Sequence, residues 1–212
     1  MTSRPRSQWD HEAPKHIPTT VSGLQSDAKF RASGGESVGF TVGEFWSWAY
    51  SDLMDNGSRG ILAEFLVAQA LSLNLNTKSF WDSYDLQMPS GTRIEVKASG
   101  YLQAWAQREL SRISFGGLRA RFWNPETGVY SDQKTFNADI YVMCKQCAVT
   151  HDEYDPLSID QWQFYVVPSK YLIDKNQDSI GEGTLISDGH KSVQFDQLYE
   201  QIRLVESLIS SA

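Results

Sequence analysis

The sequence predicts an α/β fold in which a mixed central sheet is flanked by helices, and three observations carry that expectation. Residues 59–73 have the composition of a buried helix, residues 83–99 alternate as a β-hairpin, and residues 138–143 and 162–167 are apolar runs of strand length. At 212 residues the chain suits a single sizeable domain and is short for two. A hydrophobic content of 41% with seven Trp excludes a largely disordered polypeptide.

Residues 1–36 contain Pro5, Pro14, Pro18 and the Gly34-Gly35 pair without sustained periodicity, so they read as an irregular arm before a domain of residues 37–212. Phe45, Trp46, Trp48, Ala49 and Leu53 follow helical spacing over residues 43–54, and Asn56-Gly57 ends that helix. Ser58 then caps a second helix, from Arg59 to about Leu73, which is apolar nearly all round and is expected to be buried. Glu64 lies on its stripe with Gly60, Val67 and Leu71, so its carboxylate is drawn inward, where an unpaired charge is costly. It needs a cation there, either an Arg or Lys partner or a metal ion.

The hairpin is the most informative stretch. Pro89-Ser90-Gly91 suits a three-residue loop, Pro setting φ for a type I turn and Gly supplying the left-handed residue. That loop pairs Met88 with Thr92, and stepping back pairs Leu86 with Ile94, Asp85 with Glu95 and Tyr84 with Val96. Alternation then gives a core face of Tyr84, Leu86, Met88, Ile94 and Val96, and a second face of Asp85, Gln87, Arg93, Glu95 and Lys97. Two carboxylates directly across an antiparallel pair have Cβ atoms about 5 Å apart and repel. Something positive belongs between them: a divalent cation with hard oxygen ligands, with Lys97 adding a second positive group. A surface ion-pair ladder of Glu95 with Arg93 or Lys97 is the plainer alternative. A two-residue loop at Ser90-Gly91 puts Asp82 in place of Asp85 but breaks the apolar match.

Beyond the hairpin, residues 100–110 are expected to start a helix carrying Gln103 and Arg108. Residues 111–115 and 118–123 alternate like strands that project Arg112, Arg119 and Arg121 either toward a phosphate backbone or into solvent. A terminal helix over residues 195–208 turns Leu198, Ile202, Val205 and Leu208 inward, with Asp196 as its cap. Cys144 and Cys147 followed by His151 lack the second ligand pair of a zinc site and read as free thiols. There is no nucleotide-binding Gly loop and no Ser/His/Asp signature.

The formal net charge of −7 counts against a polyanionic partner, but the charge is segregated. Between Thr92 and Arg121 six basic residues face two acidic ones, whereas from Thr150 onward four basic residues face eleven acidic ones. Such a pattern permits a local basic surface on an acidic protein. No apolar run approaches the roughly 20 residues of a membrane span. The N-terminus, with Arg4, Arg6, Asp10 and Glu12, has no apolar signal core. With two cysteines, too few for a disulfide framework, these features set the expectation of a cytoplasmic protein without a membrane partner.

Asp85, nine residues, then Glu95-Val96-Lys97, preceded by a helix bearing Glu64, resembles the PD-(D/E)XK nucleases, a superfamily of restriction endonucleases, junction resolvases and recombination exonucleases. The likeness covers about residues 58–105, and Tyr84 stands where many members have Pro. The resemblance implies a restriction-endonuclease-like fold and a nuclease acting on nucleic acid, DNA by family precedent. It implies Asp85, Glu95 and the Val96 carbonyl as ligands of Mg²⁺ or Mn²⁺, with Glu64 helping to hold the first ion or forming part of a second site. Lys97 would orient or deprotonate the attacking water. Gln103 matches a Gln that some relatives place near the metal or scissile phosphate, although Gln107 stands where they have Tyr. Arg108, Arg112, Arg119 and Arg121 are the candidate contacts to nucleic acid. Many relatives cut as dimers, so a homodimer is among the implied states, though no dimerisation motif is legible. A non-catalytic nucleic-acid-binding or assembly subunit and an RNA endonuclease are the alternatives.

Overall fold

The computed structural model describes residues 22–74, 82–124 and 129–211. Most of the expected arm, with His11 and His16, lies outside the described residues. Its last residues supply β1 (Lys29–Arg31) and the turn into β2 (Ser37–Thr41), an antiparallel hairpin running straight into α1 (Val42–Tyr50). Thr41 closes a capping box: its hydroxyl accepts from Glu44 N, and the Glu44 carboxylate accepts from Thr41 N at 2.6 Å. The helix stops before residue 54 because the Asp52 carboxylate accepts from the amides of Met54 and Asp55, a local turn that competes with helical bonding.

α2 (Asn56–Ala70) begins earlier than Ser58. Asp55 is its cap and accepts from Gly57 N and Ser58 N at 2.9 and 3.3 Å, placing a carboxylate at the positive end of the helix. Asn56-Gly57 therefore opens this helix. Ala63, Leu66, Val67 and Ala68 enter the core, but Phe65 is half exposed, so α2 is buried on one side only.

Next come β3 (Leu86–Gln87), β4 (Arg93–Gly100), β5 (Ser114–Gly116), β6 (Ala120–Asn124), β7 (Val129–Thr135), β8 (Ile140–Gln146), β9 (Trp162–Pro168), α3 (Ser169–Lys175), β10 (Ser179–Gly181), α4 (Glu182–Ser187) and α5 (Phe195–Ser210). The central sheet has the order β3-β4-β8-β9, with β4 and β8 parallel and the two outer pairs antiparallel. The architecture is thus mixed α/β, as the sequence predicts. β8 is apolar through most of its length because both faces are covered.

On one face Ile94, Val96, Ile140, Val142, Phe164 and Val166 pack against α2 and α5. On the other, Tyr141, Met143, Tyr165 and Val167 meet Phe115, Leu118, Leu172, Ile180 and Leu185. Tyr84 joins this second cluster, not the first as alternation predicts, because the β3 ladder begins only at Leu86. At β4 the second face carries Glu95 and Lys97 instead of apolar residues, and the site lies there.

The hairpin loop forms as expected. Met88 N donates to Thr92 O at 2.9 Å, Gly91 N donates to Met88 O at 2.8 Å, and Gly91 takes φ +94, which L side chains rarely adopt. The loop is tied to α5, where the buried Glu206 accepts from the hydroxyls of Ser90 and Thr92. These bonds, led by that of Ser90, hold its carboxyl below the usual range. α5 is capped by Gln194, and Asp196 falls in its first turn.

Residues 101–113 form no helix. Gln107 explains the departure. Its side chain accepts from Gln103 N at 2.7 Å and donates to Tyr101 O, Glu109 O and Ser111 Oγ, which takes over the bonds that a helical backbone would have made. β5 pairs with β10 and β6 with β7, giving two small sheets beside the central one. Among the described residues, no helix is long and apolar enough to cross a membrane.

Candidate active site

Main-chain bonding sets the geometry of the acid pair. Asp85 N donates to Ile94 O at 3.0 Å, the final main-chain bond between the two strands as β3 peels away. The next amide on that edge, Val96 N, donates to Asp85 Oδ2 at 2.8 Å. The Asp85 side chain thereby takes the place of a strand partner and is fixed against β4. In a strand the N–H and C=O of one residue point the same way, so the Val96 carbonyl also faces the edge that β3 has vacated.

Glu95 and Lys97 leave the sheet on a common face, as period-two spacing requires. Lys97 Nζ lies 2.6 Å from Glu95 Oε1, with 21% and 14% of the two side chains exposed. Behind the ammonium, Gly117 adopts φ +66, a left-handed turn that brings the backbone between β5 and β6 alongside it. Opposite Glu95 in the ladder is Tyr141, whose hydroxyl donates to Leu118 O at 3.0 Å. Burial, then the charge of Glu95, pushes that phenol's pKa far up, which keeps it a neutral donor.

Asp85 and Glu95 line one cleft of about 190 Å³, together with Asp82, Arg121, Trp123 and Tyr130. The hairpin of β6 and β7 supplies the last three. Trp123 pairs with Tyr130 across the strands, their rings 4.8 Å apart and tilted by 58°. Glu64 is partly buried on α2. It does not line this cleft; the Cys144 thiol, buried on the sheet face that packs against α2, is pushed up by desolvation first and then by the charges of Asp85 and Glu64.

Among the described residues, no three His, Cys, Asp or Glu side chains gather into a metal cage. Two carboxylates and a strand-edge carbonyl nevertheless match the oxygen donors that Mg²⁺ uses, because that ion is commonly held by one or two carboxylates and keeps several waters. Cys144 is a buried free thiol of the sheet, Cys147 is a second free thiol, and His151 lies in another pocket.

The remaining candidates are dispersed. Arg93 forms a two-point pair with Asp139, at 3.1 and 2.7 Å, that joins the start of β4 to β8. Arg119 bonds Asn176 Oδ1 at 2.5 Å and lies over the Phe136 ring. Arg108 and Arg112 are exposed. Gln103 is buried in the wall of a different pocket, donating to Gly100 O at 3.1 Å. Trp123 and Tyr130 were not legible as site residues. The alternation of Arg119, Arg121 and Trp123 hints at a shared strand face, but nothing in the sequence reveals that Val129–Thr135, a polar and largely exposed strand, pairs with it.

A family model described as bacteriophage T4 endonuclease IV matches residues 44–187, about two thirds of the chain and every residue of this cleft. The chain belongs to this family. No curated protein matches it in a sequence search. The matched span begins within α1 and ends with α4, so it includes the central sheet and the small β5-β10 and β6-β7 sheets, and leaves out β1-β2.

Proposed function

We propose that the chain is a divalent-metal-dependent nuclease of the PD-(D/E)XK type that hydrolyses phosphodiester bonds, in DNA, at the cleft of Asp85, Glu95 and Lys97. The observation that carries this reading is the juxtaposition of Asp85 and Glu95 in one cleft with Lys97 bound to Glu95, in a chain of an endonuclease family. The sheet order β3-β4-β8-β9, with α2 and α5 against one face, is compatible with a restriction-endonuclease-like core.

In this mechanism Asp85, Glu95 and the Val96 carbonyl hold Mg²⁺ or Mn²⁺, and Glu64 supports them from α2. The bound ion supplies Lewis-acid stabilisation of the phosphate and makes water a better nucleophile at neutral pH. Lys97 orients the attacking water and stabilises the charge that develops on the phosphate oxygens. Water oxygen forms a bond to phosphorus as the bond to the leaving sugar oxygen breaks in line, giving a phosphomonoester and a free hydroxyl. Arg121, exposed at the cleft, holds the phosphate backbone, and Tyr141 keeps Glu95 beside an undissociated hydroxyl rather than a second anion.

The test is incubation of the purified protein with plasmid, linear DNA and RNA in Mg²⁺, Mn²⁺ or EDTA. DNA cleavage in either metal and none in EDTA is expected. Cleavage of RNA alone would reassign the substrate, and binding without cleavage in any metal would replace the enzyme by a binding subunit.

A further inference from the structure

A second pocket, of about 460 Å³, opens where β4 ends. Its walls come from the turn after α1, with Asp52 and Met54, from the segment after β4, with Gln103 and Trp105, and from the loop carrying His151 and Tyr154. Trp105 is 56% exposed, so an indole face is presented to whatever enters.

Among the described residues, one polar atom of a wall residue, Gln103, and one of a residue outside the wall, Arg59, have no hydrogen-bond partner. Gln103 is 7% exposed, and its Nε2 donates to Gly100 O, but its Oε1 is buried with no donor. The Gly100 carbonyl fixes which end of the amide is oxygen, since a flip would set two acceptors against each other. Directly behind, Arg59 is 2% exposed, and its Nη2 donates to the carbonyls of Met54 and Leu102 while its Nε has no acceptor. A buried acceptor without a donor is costly, and a ligand that brings an N–H removes the cost. Oε1 is itself buried, so a ligand meets it through rotation about the soft terminal torsion of the Gln side chain, which draws Nε2 away from Gly100 O as the new bond forms.

Aromatic faces beside an orphaned acceptor suit a flat heterocycle with N–H groups on its edge. The pocket also lies on the strand that carries the acid pair: Gly100 is three residues past Lys97, on the order of 10 Å at a strand rise of about 3.3 Å per residue. We propose that this pocket takes one nucleobase of the substrate strand, stacked on Trp105 and Tyr154, with an edge N–H donated to Gln103 Oε1. The proposal rests on the nucleic-acid reading of the neighbouring cleft. It removes Gln103 from the chemistry and makes it a residue that selects the base.

The test measures equilibrium binding of a dye-labelled DNA strand and of the same strand carrying abasic sites, with Ca²⁺ replacing Mg²⁺ to suppress turnover. Wild type should bind the base-bearing strand more tightly than the abasic one. Trp105→Ala should weaken binding of the base-bearing strand roughly tenfold for the lost stacking surface, Gln103→Met should weaken it through the lost edge hydrogen bond, and both should leave the abasic strand unaffected. Trp105 is on the surface, so its removal should leave thermal melting unchanged. If both variants bind the base-bearing strand as wild type does, the pocket is not a base site. If wild type binds neither strand, the nucleic-acid reading itself fails and the proposal goes with it.

Discussion

Lys97→Ala is expected to lower the cleavage rate by a factor of about 100 or more, the scale of losing a general base or a charge stabiliser. Substrate affinity should fall far less, because one phosphate contact among several contributes modestly to binding. The separation of the two effects is the informative part. In the present geometry Lys97 is bonded to Glu95 and contributes no metal ligand, so its loss should spare metal binding. Single-turnover cleavage and equilibrium binding in Ca²⁺, measured on one preparation, distinguish the outcomes. An equal loss in both would make Lys97 a binding residue, and no loss in either would remove it from the site.

The largest effect on stability is expected at Glu182, the first residue of α4. Its carboxylate accepts from Lys145 Nζ at 2.6 Å and from the Tyr165 hydroxyl at 2.7 Å, with Lys145 11% and Glu182 13% exposed. Glu182→Leu leaves the Lys145 ammonium uncompensated in the interior and should cost about 3 kcal/mol. For a chain of this size that is a melting-temperature loss of roughly 6–12 °C. The double change Lys145→Met, Glu182→Leu should recover most of it, since replacing both ions by apolar groups removes two desolvation penalties.

The pair also predicts a pH dependence. Burial opposes ionisation of Glu182, but hydrogen bonds from Lys145 and Tyr165 outweigh it, and its pKa lies below the ordinary 4.5. A depressed carboxyl stabilises the fold fully above its unfolded pKa and loses that contribution as pH falls through the folded value. Wild type should therefore lose stability below about pH 4.5 more steeply than the double variant, as urea unfolding across that range would register.

Much of the candidate site was legible because the hairpin is a local structure. The Pro89-Ser90-Gly91 loop and the alternation of apolar residues predict the pairing of Leu86 with Ile94 that the structure has, but the ladder ends there, and Asp85 is placed by the bond from Val96 N to its carboxylate, which alternation does not predict. Features that depend on distant chain were not legible. Trp123 and Tyr130 reach the cleft through a pairing of two hairpin strands, and Lys145 meets Glu182 across 37 residues. Helix limits failed where a side chain replaced a backbone bond. Asp55 capped α2 three residues ahead of Ser58, and Gln107 absorbed the bonds of an expected helix. Arg119 shows the remaining ambiguity: it was expected on a strand with Arg121, but β6 begins only at Ala120, and Arg119 bonds Asn176 and lies over Phe136 without lining the cleft.

The most direct measurement of the central claim is the cleavage rate of wild type and of the Asp85→Asn, Glu95→Gln double variant across a Mg²⁺ titration. Wild-type cleavage should rise to saturation with Mg²⁺ and vanish in EDTA, while the isosteric double variant, with both anionic ligands neutralised, should fall by a factor of about 100 or more at every concentration. A double variant that cleaves at the wild-type rate, or a wild type that cleaves equally well in EDTA, would contradict the account.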